Sequence, residues 1–478
     1  MRGTGWRGRT AVRVGFGVRV VRNECTPYRL LGQSTIASVV ASNAEEEFRV
    51  FRLLDPEMGF TSSVIRDPNR FVGRSNLIGS AMRAVNASSG LIAVFGKRGV
   101  GKSSLMRQIQ LMANGDYEIV TRAGLHHLIP EKPRTYYTVY YTCDSEISNS
   151  EDLLLRLCTD TDPEDGLLRL VPDKGKELIE FSRSISAETS TDLKLAKWGI
   201  KGGNAEKYAA NLRADTFQTF RNFCSAIVES NNKIWRKRAG VLIFIDEFDV
   251  VKDKSGFGSL LKSLSSEKLK FAISGISDDL NDLIEDHQSV ERLIEQGSAH
   301  VKPMTFEETK SIFETATFLF DNIVRFDENV VKNIFEISLG YPYFAQLIGK
   351  SCIEMANEAG TNEIDDHIFR RVLKKIRQGE AFPSLERKYQ RAIGDSDGRA
   401  LLLTLLAEEK ISIDEIDGGV SLKSIRATAQ ELEIEFVDQL VPRLIDKKYG
   451  PALVRKADQR GAYEFLDPVF RAYVRLRR

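Results

Sequence analysis

The chain has 478 residues, long enough for about two to four domains, and its 68 Lys and Arg against 67 Asp and Glu leave a formal charge of +1. Such a balance excludes a global field for nucleic acid, so any contact of that kind must be a local patch. Five scattered cysteines without a C-x-x-C pair offer neither a disulfide framework nor a zinc site, and the longest apolar runs, Val241–Ile245 and Leu401–Ala407, are too short to cross a bilayer. The expectation is a soluble, cytoplasmic protein without membrane contact.

Residues 1–44 carry seven arginines, no lysine and one acid, and show no helical or strand period. Residues 1–57 are therefore expected to be a disordered basic arm or a mis-called N-terminal extension, with Met58 as the alternative start. An organelle transit peptide is the third reading. From Ile65 the text changes to Ile65-Arg-Asp-Pro-Asn-Arg-Phe71-Val72-Gly73-Arg74, followed by a helical period through Leu77, Ile78, Met82 and Val85.

Next comes an apolar run, Leu91-Ile-Ala-Val-Phe, and then Gly96-Lys-Arg-Gly99-Val100-Gly101-Lys102-Ser103-Ser104. The spacing fits G-x-x-x-x-G-K-[ST], the phosphate-binding loop. A triphosphate is held there by backbone N–H groups, and glycine lets the chain come close without a Cβ clash. Gly96, Gly99, Val100, Gly101, Lys102, Ser103 and Ser104 are the candidate contacts, with Lys102 on the β/γ oxygens and the Ser103 hydroxyl on Mg²⁺. A helix through Leu105, Met106, Ile109, Leu111 and Met112 should follow.

Tyr136–Thr142 is dense in aromatic and β-branched residues and predicts a buried strand, base stacking being the other use of such a cluster. Residues 143–213 read as a polar and helical insertion without an assignable motif. A long amphipathic helix, about 214–237, leads to Val241-Leu-Ile-Phe-Ile-Asp246-Glu247. Five apolar residues and then Asp-Glu are the second signature of a P-loop ATPase: Asp246 for the Mg²⁺ shell, Glu247 to take a proton from the attacking water. Asp249 reads as a cap and is left outside the site. Lys270–Ile276 should be the next parallel strand, with Ser274, Ser277 and Asp278 at its end.

Pro303-Met-Thr305-Phe-Glu-Glu308 is a capping box opening a helix. Helices at about 327–338 and 341–359 flank Gly340-Tyr341-Pro342. Pro383 marks a boundary. Beyond it the order is helix (398–409), helix (421–432), helix (about 435–448), strands (452–456 and 463–466) and a terminal helix, which reads as a winged helix.

These motifs resemble AAA+ and STAND ATPases over residues 65–478. The resemblance implies an α/β P-loop core at 58–303 (insertion 143–213), a helical lid at 304–382 and a winged-helix domain at 384–478, with ATP and Mg²⁺ as cofactors. It places Arg74 on the adenine side, Ser277 at the γ-phosphate or attacking water, and Arg292 as an arginine finger for a neighbouring subunit. Pro342 belongs to a Gly-x-Pro lid motif of the STAND branch. A surface role for Arg74 or Arg292 is the alternative. The lid arginine usual in AAA+ machines is missing before Arg370, which favours a slow switch over a motor.

Three functions follow: an ATP-driven switch that self-associates, a DNA-bound initiator relative, or a regulatory ATPase gating a separately encoded effector protein. Duplex DNA would meet Arg443, Lys447, Lys448, Arg455, Lys456, Arg460 and the Arg475-Arg477-Arg478 tail. Against it, residues 384–478 hold 17 basic and 16 acidic side chains, with Glu431, Glu433, Glu435 and Asp438 at the start of the groove helix.

Overall fold

The computed structural model describes residues 53–477 apart from 89, 161–165, 172–215, 235–236, 278–283, 285–296, 409–419, 422–424, 428–429, 431–436 and 457–461. Helix α1 (Ser75–Asn86) precedes strand β1 (Leu91–Gly96), and α2 (Lys102–Asn114) leads to β2 (Tyr136–Thr142). Helix α3 (Thr216–Ile234) comes before β3 (Gly240–Asp246), followed by β4 (Leu269–Ile276) and β5 (Ser298–His300). The five strands are parallel in the order β2-β3-β4-β1-β5.

The strands read as near-continuous apolar runs because both sheet faces are covered. Ile92, Val94, Tyr136, Tyr140, Leu242, Phe244 and Ala272 face a core shared with α1 and α2. Their alternating neighbours Leu91, Ala93, Phe95, Tyr137, Val139, Tyr141, Ile243 and Ile273 face a second core with α3. The strand tyrosines are at most 9% exposed, so the aromatic cluster is sheet interior and no base can stack on it. Ser150–Thr159, inside the expected insertion, supplies Leu153, Leu154 and Leu157 to the second core. Lys270 stands out at 1% exposure in β4. Its ammonium donates to the carbonyls of Ala84 and Val85 at 3.2 and 3.1 Å, closing the C-terminal end of α1.

After the sheet come α4 (Phe306–Leu319), β6 (Arg325–Phe326), α5 (Glu328–Ser338), α6 (Pro342–Ala359), β7 (Glu363–Ile364) and α7 (Asp366–Gln378). The Thr305/Glu308 capping box opens α4 as its spacing predicts. Residues 53–57, assigned from sequence to the extension, pack onto this helical layer. Leu54 exchanges hydrogen bonds with the Asn357 side chain at 3.0 and 2.7 Å, and Glu57 pairs with Lys350. Phe60 is fully buried against Phe313 and Phe326, in a groove that Gly349 leaves open; a Cβ there would lie 2.4 Å from the Phe60 ring.

The C-terminal elements are α8 (Pro383–Ile393), α9 (Asp397–Glu408), β8 (Val420–Ser421), α10 (Val437–Ile445), β9 (Leu453–Arg455), β10 (Ala462–Phe465) and α11 (Pro468–Leu476). Ser421, expected to open a helix, instead pairs with Ala462, giving an antiparallel sheet in the order β8-β10-β9 rather than a strand pair. Val420 beside it is β-branched, a residue type enriched in strands. Helix α11 folds back onto α5, α7, α8 and α9. Phe344, Phe382 and Tyr473 form an aromatic chain with centroids 5.7 and 6.3 Å apart, so one apolar core runs from Leu54 to Val474.

Glu386 on α8 anchors α11 by polar contacts. It accepts from Arg477 Nε and Nη2 at 2.8 and 2.9 Å, from Gln390 at 2.7 Å, and from the Tyr473 hydroxyl. Burial alone would raise its carboxyl, but the Arg477, Tyr473 and Gln390 donors outweigh it and hold the group down to about 2. A folded pKa below the unfolded one stabilises above pH 4.5, and that contribution disappears as pH falls toward 2. Glu386→Gln should therefore lower Tm at neutral pH and flatten its decline over this acid window, as read by circular dichroism melts.

Candidate nucleotide-binding site

The loop after β1 has the backbone its glycines permit. Gly96, Gly99 and Gly101 have φ of 146°, 80° and 98°, where L side chains are strained. A Cβ on Gly96 would lie 2.4 Å from the Val301 carbonyl oxygen. Gly101 caps α2 with no side-chain hydrogen bond, and no acid occupies the first turn. The first-turn N–H groups and the positive end of the helix dipole are thus left for an anion. Lys102 Nζ donates to the carbonyls of Gly96 and Lys97 at 2.9 and 3.0 Å. Burial draws this ammonium down to about 8, opposed by Asp249 and Asp246.

Across the cavity, β3 ends at Asp246, which is 4% exposed. Glu247 follows in the left-handed region at φ 55°. Burial raises its carboxyl above the usual range, Asp246 and Asp249 adding to the effect and Arg98 and Lys102 opposing it. Asp249 accepts from the Ile276 N–H at 2.7 Å, fixing the end of β4, and also lines the cavity.

The third wall comes from Thr61–Ile65, Phe71 and Val72, closed by Met304, Ile312 and the start of α6. The Thr61 N–H donates to Gln346 Oε1 at 3.0 Å and the Ile65 N–H to Ser104 Oγ at 3.1 Å. Arg74, 8% exposed with φ 62°, donates from Nη2 to the Val100 carbonyl at 3.2 Å, while its N–H donates to Glu308 Oε1 at 2.7 Å. Burial lowers its guanidinium pKa, with Glu308 opposing. The Tyr343 N–H donates to the Gly99 carbonyl at 3.4 Å, so α6 touches the phosphate loop directly.

These walls enclose about 380 Å³, within the range of small-molecule and cofactor clefts. Arg74, Gly99, Val100, Gly101, Lys102, Ser103, Ser104, Asp246, Glu247 and Pro342 all line it. Gly96 lies at the loop's base, outside the lining. Ser277 is 8% exposed just past β4, where the lining is Gly275 and Ile276. Arg292 and Asp278 lie outside the described residues. Sequence reasoning missed the Thr61–Ile65 strip, Arg98 and Gln346, and took Asp249 for a cap although it lines the cavity. Of these, Arg98 inside the loop motif and Asp249 beside the acidic pair carried a local signal.

The donor set fits a polyphosphate with a hard cation: an uncapped helix end and a lysine on one side, a hydroxyl and a carboxylate on the other. A parallel sheet carrying a glycine loop at one strand end and an acidic pair at another defines a P-loop NTPase. Residues 58–336, more than half of the chain, match the family described as Novel STAND NTPase 1, and the chain belongs to that family.

Among solved structures, the chain is similar to the Walker-type ATPase paby2304 of Pyrococcus abyssi, at 16% identity over 85% of this chain and 96% of that one, with a TM-score of 0.44. It is similar to Aeropyrum pernix ORC1 in complex with DNA at 13% identity over 86% and 93%, TM-score 0.38. Thermotoga maritima RuvB follows at 14% identity over 84% and 95%, TM-score 0.37. No curated protein matches the chain. Among the described residues no helix is long and apolar enough to cross a membrane.

Proposed function

We propose that this NTPase is an ATP-dependent switch. The phosphates rest on the N–H groups of Gly99–Ser104, Lys102 supplies the point charge, and Arg74 and Pro342 flank the nucleotide. Ser103 and Asp246 hold Mg²⁺, which when bound neutralises charge between the β and γ phosphates. Glu247 takes the proton of the attacking water; its raised pKa suits a base that gains a proton during the reaction. Ser277 and Arg292 are assigned supporting roles, from the strand end and from a neighbouring copy. Lys102→Ala should abolish ATP binding. Glu247→Gln should keep binding and cut turnover at least about 100-fold, and equal turnover in that variant would falsify the role of Glu247.

The observation that carries the switch reading is where the C-terminal elements sit. Lys97 pairs with Glu464 of β10 at 2.9 Å, the side chains being 15% and 21% exposed. Val469 of α11 fills the space beside Gly99, where a Cβ would lie 2.8 Å from its Cγ2. On this reading 304–382 is the lid and 384–478 a winged helix, and both respond to the phosphate loop through these contacts. Loss of an ion pair of about 1 kcal/mol corresponds to about fivefold in an equilibrium or rate. Glu464→Ala should therefore accelerate release of a fluorescent ADP about fivefold in stopped flow, and an unchanged rate would remove the coupling role of this pair.

A second reading, duplex DNA on the winged helix, is favoured by Arg443, Lys447, Lys448 and Arg455, all exposed, with Lys456 half-buried beside them. Asp438, paired with Arg426 at 2.8 Å, opposes it at the start of α10. Gating of a separate effector protein uses the same switch without DNA. A mobility shift with duplex DNA that weakens steeply with salt and strengthens with ATP is the expected result of the DNA reading; no shift with either nucleotide leaves effector gating. Sizing with ADP and with a non-hydrolysable ATP analogue tests the expected self-association.

A further inference from the structure

Asp246 is held more tightly than its place at a strand end requires. Its Oδ2 accepts from the Tyr140 hydroxyl at 2.6 Å, and its Oδ1 accepts from the Glu247 N–H at 3.0 Å and from Ser274 Oγ. A carboxylate offers about four acceptor positions. Three are filled from within the protein, leaving one, on Oδ2. Tyr140 is the donor with no evident architectural need for its oxygen. Its ring is 2% exposed and stacks on Phe244 at 5.9 Å, with the Arg107 guanidinium 3.4 Å over the ring. A phenylalanine would keep that packing. What the hydroxyl adds is a bond to Asp246 from the neighbouring strand, where Thr142 and Asp246 are in register.

We infer that Tyr140 is a positioning residue for the divalent cation: its hydroxyl fixes the Asp246 carboxylate so that a single Oδ2 direction is offered to the water shell of the ion. Ser274 and the Glu247 N–H lock the other oxygen. Arg107 belongs to α2, which begins at Lys102, so the ring also joins the phosphate-loop helix to the acidic strand. The inference rests on the metal role proposed for Asp246 and adds the residue that sets its geometry. Mg²⁺ demands near-ideal octahedral coordination whereas Ca²⁺ tolerates distortion. A carboxylate free to rotate should therefore harm Mg²⁺ more than Ca²⁺.

The test is a titration of Mg²⁺, and separately Ca²⁺, into full-length protein with a fluorescent ATP analogue, comparing wild type, Tyr140→Phe and Asp246→Asn. Losing one hydrogen bond to a charged group should weaken apparent Mg²⁺ affinity about tenfold in Tyr140→Phe. The Ca²⁺ affinity should fall less and metal-free nucleotide binding should stay near wild type, while Tm falls by a few degrees because the buried carboxylate loses a donor in the metal-free protein as well. Equal loss for both ions, or none, overturns the positioning role. If Asp246→Asn also leaves the Mg²⁺ dependence unchanged, the metal role of Asp246 fails first; if only Tyr140→Phe is silent, this inference alone falls.

Discussion

A loop that binds phosphate through its backbone must give up side chains, and the space they would have filled has to be closed from elsewhere. In this protein the closure comes from distant segments. Val301 presses on Gly96, Val469 and Tyr343 on Gly99, and Pro342 approaches Gly101, a Cβ there lying 3.8 Å from its Cγ. The missing Cβ atoms thus serve two ends at once. Toward the cavity they let N–H groups reach an anion; on the other side they seat the start of α6 and of α11. The glycine loop is a joint as well as a cradle.

Part of the backbone strain falls on the same map. Among the described non-glycine residues with positive φ, Arg74 (62°) and Glu247 (55°) line the cavity and Leu339 (53°) precedes the start of α6, whereas Asp321 and Asn322 form the turn after α4. Such conformations cost about 1–3 kcal/mol and persist where surrounding contacts over-determine them. Those contacts are visible for Arg74, tied to Glu308 and Val100, and for Glu247, tied to Asp246. Leu339 precedes Gly340, where a Cβ would lie 2.3 Å from the Met304 carbonyl oxygen, and the pair aims Pro342 at the loop.

Local signals were readable and remote ones were not. Glycine spacing, the apolar run before Asp246 and the capping box each lie within a few consecutive residues, where sequence period reports structure directly. The Thr61–Gln346 bond spans 285 positions and the Lys97–Glu464 pair 367. No local period encodes such contacts. The local pattern around Tyr140 reports a strand, but its hydroxyl acquires meaning only when sheet register brings β2 beside β3. Ser274 stood among the strand-end candidates; its bond to Asp246, not its sequence position, sets it apart. Ser421 departed from its expected helix because the pairing partner lies 41 residues on, at Ala462.

How far the C-terminal elements could move on the proposed reading is a question of magnitudes. Val469, Phe470, Tyr473 and Val474 of α11 are all buried at 3% exposure or less. Exposing them would cost about 1.5–3 kcal/mol each, or roughly 6–12 kcal/mol together. A micromolar nucleotide gains about 8 kcal/mol in total, and only its difference in affinity between two states can shift an equilibrium. Because only part of that total can be differential, complete detachment of α11 lies at or beyond what such a ligand can drive alone. The Lys97–Glu464 pair and the Val469 contact are different in scale, near 1 kcal/mol for the pair. A nucleotide acting on the loop has enough free energy to break those and slide α11 against it while the apolar core holds.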